Sequence, residues 1–84
     1  MKYCLITFRS ITPAQRAELL VKRAGVKCVL QRTPKWMEAQ GCGYSLRVQY
    51  LDVANVIELL REHDIGFKRI YLRHENGKME EMDL

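Results

Sequence analysis

The stretch from Lys2 to Arg9 constrains this chain more than any other. It is rich in aromatic and β-branched residues, holds no glycine or proline, and is too short for a typical helix, so it reads as a strand. Both of its faces are apolar, with Tyr3, Leu5 and Thr7 on one side and Cys4, Ile6 and Phe8 on the other. A strand of that kind belongs in the middle of a sheet. The 84 residues, 48% apolar and 29% charged, make one small globular domain with a single core and no room for a second.

Beyond Ser10-Ile11 the pattern changes to a helical period. Thr12 is placed to cap, Pro13 to stand at the first helical position and Gln15 to complete a capping box, predicting a helix over Pro13 to Ala24. Ala14, Ala17, Leu20, Val21 and Ala24 share its inner side, and Gly25 is a natural left-handed stop. Val26 to Arg32 alternates as a half-buried strand with Cys28 on its more apolar side. Thr33 to Gly43 has no clean period. Pro34 discourages continuation of the sheet, and Trp36 and Met37 are expected to fold this loop back onto the domain. Tyr44 to Tyr50 alternates again as a third strand.

Asp52 is placed to cap a second helix whose inner stripe is Val53, Val56, Ile57 and Leu60, running to about Glu62. His63-Asp64-Ile65-Gly66 ends it, and Phe67 to Arg73 is a fourth strand whose Lys68, Arg69 and Arg73 suit an edge. Residues 75–84 leave two readings open, a short extra hairpin strand turned by Asn76-Gly77 or a frayed acidic tail. The order strand, helix, strand, strand, helix, strand defines an α+β fold. It is the ferredoxin-like β-α-β-β-α-β arrangement, a four-stranded antiparallel sheet with both helices on one face, spanning residues 1–74.

Three cysteines, Cys4, Cys28 and Cys42, with no close pairing motif, argue against a secreted disulfide framework and for a reducing cytoplasm. The only apolar run, Tyr3 to Phe8, is too short for a signal-peptide core or a membrane span. The net charge of +4 is uneven, with residues 1–50 at +7 and residues 51–84 at −3. A basic half attracts nucleic acid, an acidic protein or an anionic small molecule without choosing among them.

Cys4 and Cys28 fall within strand patterns, where an unpaired cysteine usually acts as a small hydrophobe. Cys42 differs, because it stands in a loop between Gly41 and Gly43, residues without a Cβ that let another molecule come close. A cysteine of ordinary pKa is about 3% thiolate at pH 7, and lowering the pKa to about 7 takes about 2 kcal/mol of anion stabilisation. Backbone N–H groups of a Gly-Cys-Gly turn and a nearby cation can supply that. Arg32, Lys35 and Arg47 are near in sequence, and Lys35 shares the loop. The reading of Cys42 as an inert turn residue stays open at this level.

Other chemistries find less support. Zinc sites need closely spaced ligand pairs, whereas these cysteines are far apart and His63 and His74 stand alone, so no metal or other cofactor is expected. No phosphate-binding glycine motif or nucleophile elbow is present. His63, at a helix end, reads as a capping or solvated residue. RNA-recognition domains share this order of elements, but their third strand carries stacking aromatics, and Gly43-Tyr44-Ser45-Leu46-Arg47-Val48-Gln49-Tyr50 does not rebuild that platform.

A Tyr-rich first strand, a helix ending in Ala24-Gly25-Val26, and Thr33-Pro34-Lys35 followed by Gly41-Cys42-Gly43-Tyr44-Ser45-Leu46-Arg47 resemble a family of short bacterial selenium/sulfur carrier-like proteins. The resemblance covers roughly Lys2 to Tyr71. Its most specific part, a Pro, a basic residue, a spacer and Cys-Gly, falls on Pro34, Lys35, Cys42 and Gly43. Lys35 stands where many relatives have Arg, and Glu38-Ala39-Gln40 replaces a serine-rich stretch. The resemblance implies a carrier and cosubstrate more than an enzyme. In it, Cys42 takes sulfane sulfur or selenium from a cysteine desulfurase-like donor and passes it to an acceptor protein, by chemistry akin to thiol-disulfide exchange. Gly41 and Gly43 would admit the partner, while Lys35 and Arg32 would hold the terminal persulfide anion. The rival is a regulatory or interaction module that binds a protein, small ligand or nucleic acid on the open sheet face; a dimer through an edge strand fits either.

Overall fold

β1 (Tyr3–Phe8) is the third strand of a five-stranded antiparallel sheet, between β3 (Tyr44–Gln49) and β4 (Ile70–Arg73), with β2 (Cys28–Arg32) outside β3 and β5 (Met79–Met82) outside β4. The computed structural model describes residues 2–33 and 43–84. The central position expected for the first strand is therefore the observed one, and Cys4, Ile6 and Phe8 are fully buried while Leu5 and Thr7 are nearly so. Phe8 faces Tyr44, Ile6 lies between Leu46 and Ile70, and Cys4 lies between Val48 and Leu72. α1 (Ile11–Arg23) and α2 (Val53–Glu62) add Ala14, Ala17, Val21, Val53, Val56, Ile57 and Leu60 to that same cluster. Small residues on α1 let a helix lie close over a sheet side whose own side chains are large.

The helix ends show which local rules operate. α1 begins at Ile11 after Ser10, so the expected Thr12–Gln15 capping box does not form and Ser10 makes no side-chain cap bond. Pro13 is then the third helical residue, still in the first turn, where a missing N–H costs nothing because that group has no partner within the helix. Asp52 likewise makes no side-chain cap bond, since a short 3-10 turn over Tyr50–Asp52 leads into α2. Both C-termini close in the same way. Gly25 N–H donates to Lys22 C=O and Val26 N–H to Val21 C=O, with Gly25 at φ +81°. Asp64 and Ile65 repeat the pattern onto Arg61 and Leu60, with Asp64 at φ +54°. These paired bonds are the Schellman closure.

The sheet has five strands where four were expected, and β4 is not its edge. Gly77, at φ +89°, donates to His74 C=O, while His74 N–H donates to Lys78 C=O and Asn76 Oδ1 accepts Lys78 N–H. This is a three-residue hairpin loop ending in a left-handed glycine, not a two-residue Asn-Gly turn. A histidine–carboxylate contact, an ion pair and an apolar contact lie along the added strand. His74 Nε2 lies 2.9 Å from Glu80, Arg69 lies 3.7 Å from Glu81, and Met82 packs on the core. The cations expected to guard an edge thus face neighbours. β4 starts at Ile70, not Phe67, because Lys68 and Arg69 both stand against Thr7. Lys68 N–H donates to Thr7 C=O, Thr7 N–H donates to Arg69 C=O, and Arg69 N–H donates to the Thr7 hydroxyl. Two residues against one is a bulge.

Among the described residues no helix is long and apolar enough to cross a membrane. The glycines give a direct check on the helix closures. Gly25→Ala should lower stability by about 1 kcal/mol, because a Cβ is strained at positive φ. Gly66 lacks a positive φ and has open space around its Cβ position, so Gly66→Ala should be neutral or stabilise by up to about 1 kcal/mol through the unfolded chain. Urea denaturation of the two variants measures the contrast; equal destabilisation of both would contradict it.

Candidate functional site

The sheet pins both ends of the segment that carries the candidate thiol. β2 and β3 pair from Cys28 opposite Val48 to Arg32 opposite Tyr44, and one further bond, Thr33 N–H to Gly43 C=O at 3.0 Å, extends the ladder to the last pair among the described residues. Beneath it the Thr33 and Ser45 hydroxyls share a hydrogen bond of 2.6 Å. Ser45 is fully buried and Thr33 nearly so. Among the described residues these hydroxyls partner each other, and slipping either strand by a residue would separate them, so the pair is specific to one register. Sequence reading missed this anchor. The one available signal was that two hydroxyl residues flank the segment, at positions that the register makes diagonal neighbours.

Of the residues expected to form the site, Gly43 and Arg32 are described. Gly43 is buried and accepts the Thr33 bond, and the Arg32 guanidinium sits 5.7 Å from the centre of the Tyr44 ring. Pro34, Lys35, Gly41 and Cys42 lie outside the described residues, as do Trp36 and Met37. Arg32 and Arg47, both considered as helpers for the thiolate, take opposite sides of the sheet. Arg32 pairs with Tyr44 in the row alternation that includes Leu46 and Val48, whereas Arg47 pairs with Val29 and Leu5 and lies 5.3 Å from the Tyr3 ring. On that same side Arg73 lies 5.6 Å from the Tyr3 ring and donates to its hydroxyl at 2.8 Å.

The other two thiols sit where their anions are disfavoured. Cys4 is fully buried, its Sγ 3.7 Å from Met82 Sδ, and burial pushes its pKa up to about 11. Burial also raises the Cys28 thiol, with Lys22 pulling it back and Glu18 adding to the rise; its Sγ is 3.9 Å from the Glu18 carbonyl. Cys4 thus belongs to the core and Cys28 packs at its border. His63 Nδ1 lies 3.1 Å from Leu59 C=O at the end of its own helix, in a capping position. Among the described residues no group of His, Cys, Asp and Glu gathers to hold a metal.

The architecture is a small α+β scaffold that holds a thiol-bearing segment between two neighbouring strands while keeping its strand thiols neutral. A family model described as "Putative Se/S carrier protein-like" matches residues 3–72, and the chain belongs to this family. No curated protein and no solved structure matches it.

Two measurements follow from these surroundings. Stability should fall as pH rises from about 8.5, the ordinary thiol value, to about 11, because the unfolded Cys4 loses its proton while the folded one keeps it. Cys4→Val should flatten that part of the pH profile, and an unchanged profile would contradict it. Ser45→Ala should cost about 1–2 kcal/mol. A double-mutant cycle with Thr33→Val should then return a coupling of about 1 kcal/mol, since both variants remove the same bond.

Proposed function

We propose that the chain is a sulfur or selenium carrier whose working group is the Cys42 thiolate. The observation that carries this reading is the family match over residues 3–72. The raised pKa values of Cys4 and Cys28 support it, because they disfavour the thiolate at the other two cysteines. In the transfer, the Cys42 thiolate attacks the outer sulfur of a donor persulfide. The donor S–S bond breaks, the donor cysteine leaves as thiolate, and Cys42 holds a persulfide. An acceptor thiolate then attacks the outer sulfur of that persulfide and Cys42 returns as thiolate, so the carrier is neither oxidised nor reduced over the cycle. Selenium follows the same path.

In this reading Gly41 and Gly43 admit the partner to the thiol, Pro34 belongs to the motif that carries it, and Lys35 and Arg32 stabilise the terminal anion. The donor is a cysteine desulfurase-like protein and the acceptor a sulfur- or selenium-receiving protein, both in the cytoplasm. The protein acts as a cosubstrate and not as a catalyst. The order β2-β3-β1-β4 with two helices supports reading the first four strands as ferredoxin-like, β5 being an addition to that plan. A second reading, an interaction module, draws on the Arg47–Tyr3–Arg73 stack, which gives the helix-free side of the sheet a basic and aromatic patch.

Incubation with a cysteine desulfurase and cysteine, followed by peptide mass spectrometry, separates the two. The carrier should take a persulfide on Cys42, none on Cys4 and little on Cys28. Its Cys42 alkylation rate should be half-maximal near pH ~7. Equal labelling of all three thiols, or a Cys42 pKa at or above that of free cysteine, would leave only the interaction module.

A further inference from the structure

The sheet has two edges, and they differ in charge. The acids of β5, Glu80 and Glu81, face His74 and Arg69, and Lys78 precedes them, whereas β2 follows Lys27, ends in Arg32 and holds no acid. The edge of β2 also has backbone groups to offer. The Thr33–Gly43 bond fixes which facing pairs exchange hydrogen bonds, so Gln31 and Val29 turn their N–H and C=O groups toward β3 while Cys28, Leu30 and Arg32 turn theirs outward. Among the described residues, no backbone bond beyond the β2–β3 ladder meets those outward groups. An open groove of about 860 Å³ straddles the start of this edge, with Lys22, Lys27 and Arg47 as its charged lining and Tyr3, Val26 and Val29 among its apolar lining. None of the groove's lining residues is acidic, and Val29 is 44% exposed beside it.

We propose that the β2 edge binds an acidic, extended segment of a partner protein as a sixth strand. Strand addition derives affinity from the outward N–H and C=O groups of Cys28, Leu30 and Arg32, and selectivity from what alternate side chains meet. Apolar residues on one side of the incoming strand extend the row of Cys28 and Leu30, and its carboxylates, on the side of Val29, meet Lys27 and Arg47. The charge selects against basic strands and strengthens encounter with acidic ones. The site involves no thiol chemistry and stands whether or not Cys42 carries sulfur.

The test uses the full chain, isotope-labelled, and a capped peptide alternating glutamate and valine. Addition of the peptide should shift the amide resonances of Cys28, Leu30 and Arg32 and slow their hydrogen exchange, with affinity falling as salt rises. Lys27→Glu combined with Arg47→Glu should weaken binding by about tenfold. The same peptide N-methylated at alternate residues should not bind, and Cys42→Ser should bind as the wild type does. Four results would overturn the proposal: no protection of the three amides at millimolar peptide, equal binding of a lysine-valine peptide, loss of binding in Cys42→Ser, or protection of the same amides by protein concentration alone. The last would assign the edge to a second copy of the chain.

Discussion

Everything in this protein depends on a strand that water cannot reach from either side. β1 is hydrogen-bonded on both edges, and its two rows of side chains are buried, Cys4, Ile6 and Phe8 toward the helices and Leu5 and Thr7 on the other side. Each neighbour then inherits its register from β1. The apolar residues of β3 and β4 must fall opposite Cys4 and Ile6, and a slip by one would turn Leu46, Val48, Ile70 and Leu72 to the wrong side. The bulge at Thr7 is where that demand meets its limit. Beyond Ile70 the incoming chain carries Lys68 and Arg69, and the threonine hydroxyl takes the Arg69 N–H that a regular ladder would have used differently.

The same demand sorts the thiols. A cysteine in a row facing the helices is kept neutral by lack of water, which suits a core position and disables a nucleophile. Residues 33 and 43, on either side of the segment that carries Cys42 in the sequence, are held by the sheet. The Thr33–Gly43 and Thr33–Ser45 bonds do this holding with one backbone bond and one buried hydroxyl pair.

How far the sequence could be read depended on whether packing or local chemistry decided each element. The stripe Val53, Val56, Ile57 and Leu60 was legible in full because a helix against a sheet has one inner side and a fixed period. β1 was legible because nothing but a central strand is apolar on both faces. β5 was left open because Glu80 and Glu81 hide a strand that is held by its turn, by His74 and Arg69, and by Met82. The start of α1 was misplaced because the Thr12-Pro13-Ala14-Gln15 motif carries the residue types of a capping box, whereas the helix begins at Ile11 after Ser10; the start of α2 after Asp52 was legible. At the site, the opposed sides of Arg32 and Arg47 were recoverable in principle from strand parity, which needs the register that only the Thr33–Gly43 pair fixes. Cys42 and Lys35 were singled out on residue type and resemblance, and their contacts fall outside the described residues.

The added strand has a consequence at long range. Glu80 and Glu81 lie on the far side of β4, about four strand spacings, roughly 19 Å, from the lysines and arginines around β2, and residues 68–83 carry four Lys or Arg against four Asp or Glu. The net charge of +4 is therefore weighted away from that edge. In the field of a charged partner such a body feels a torque before it feels a contact, so it arrives already turned. Orientation is the step that slows most protein encounters by orders of magnitude relative to free diffusion. A short hairpin that cancels the charge of one edge thereby aims the opposite edge.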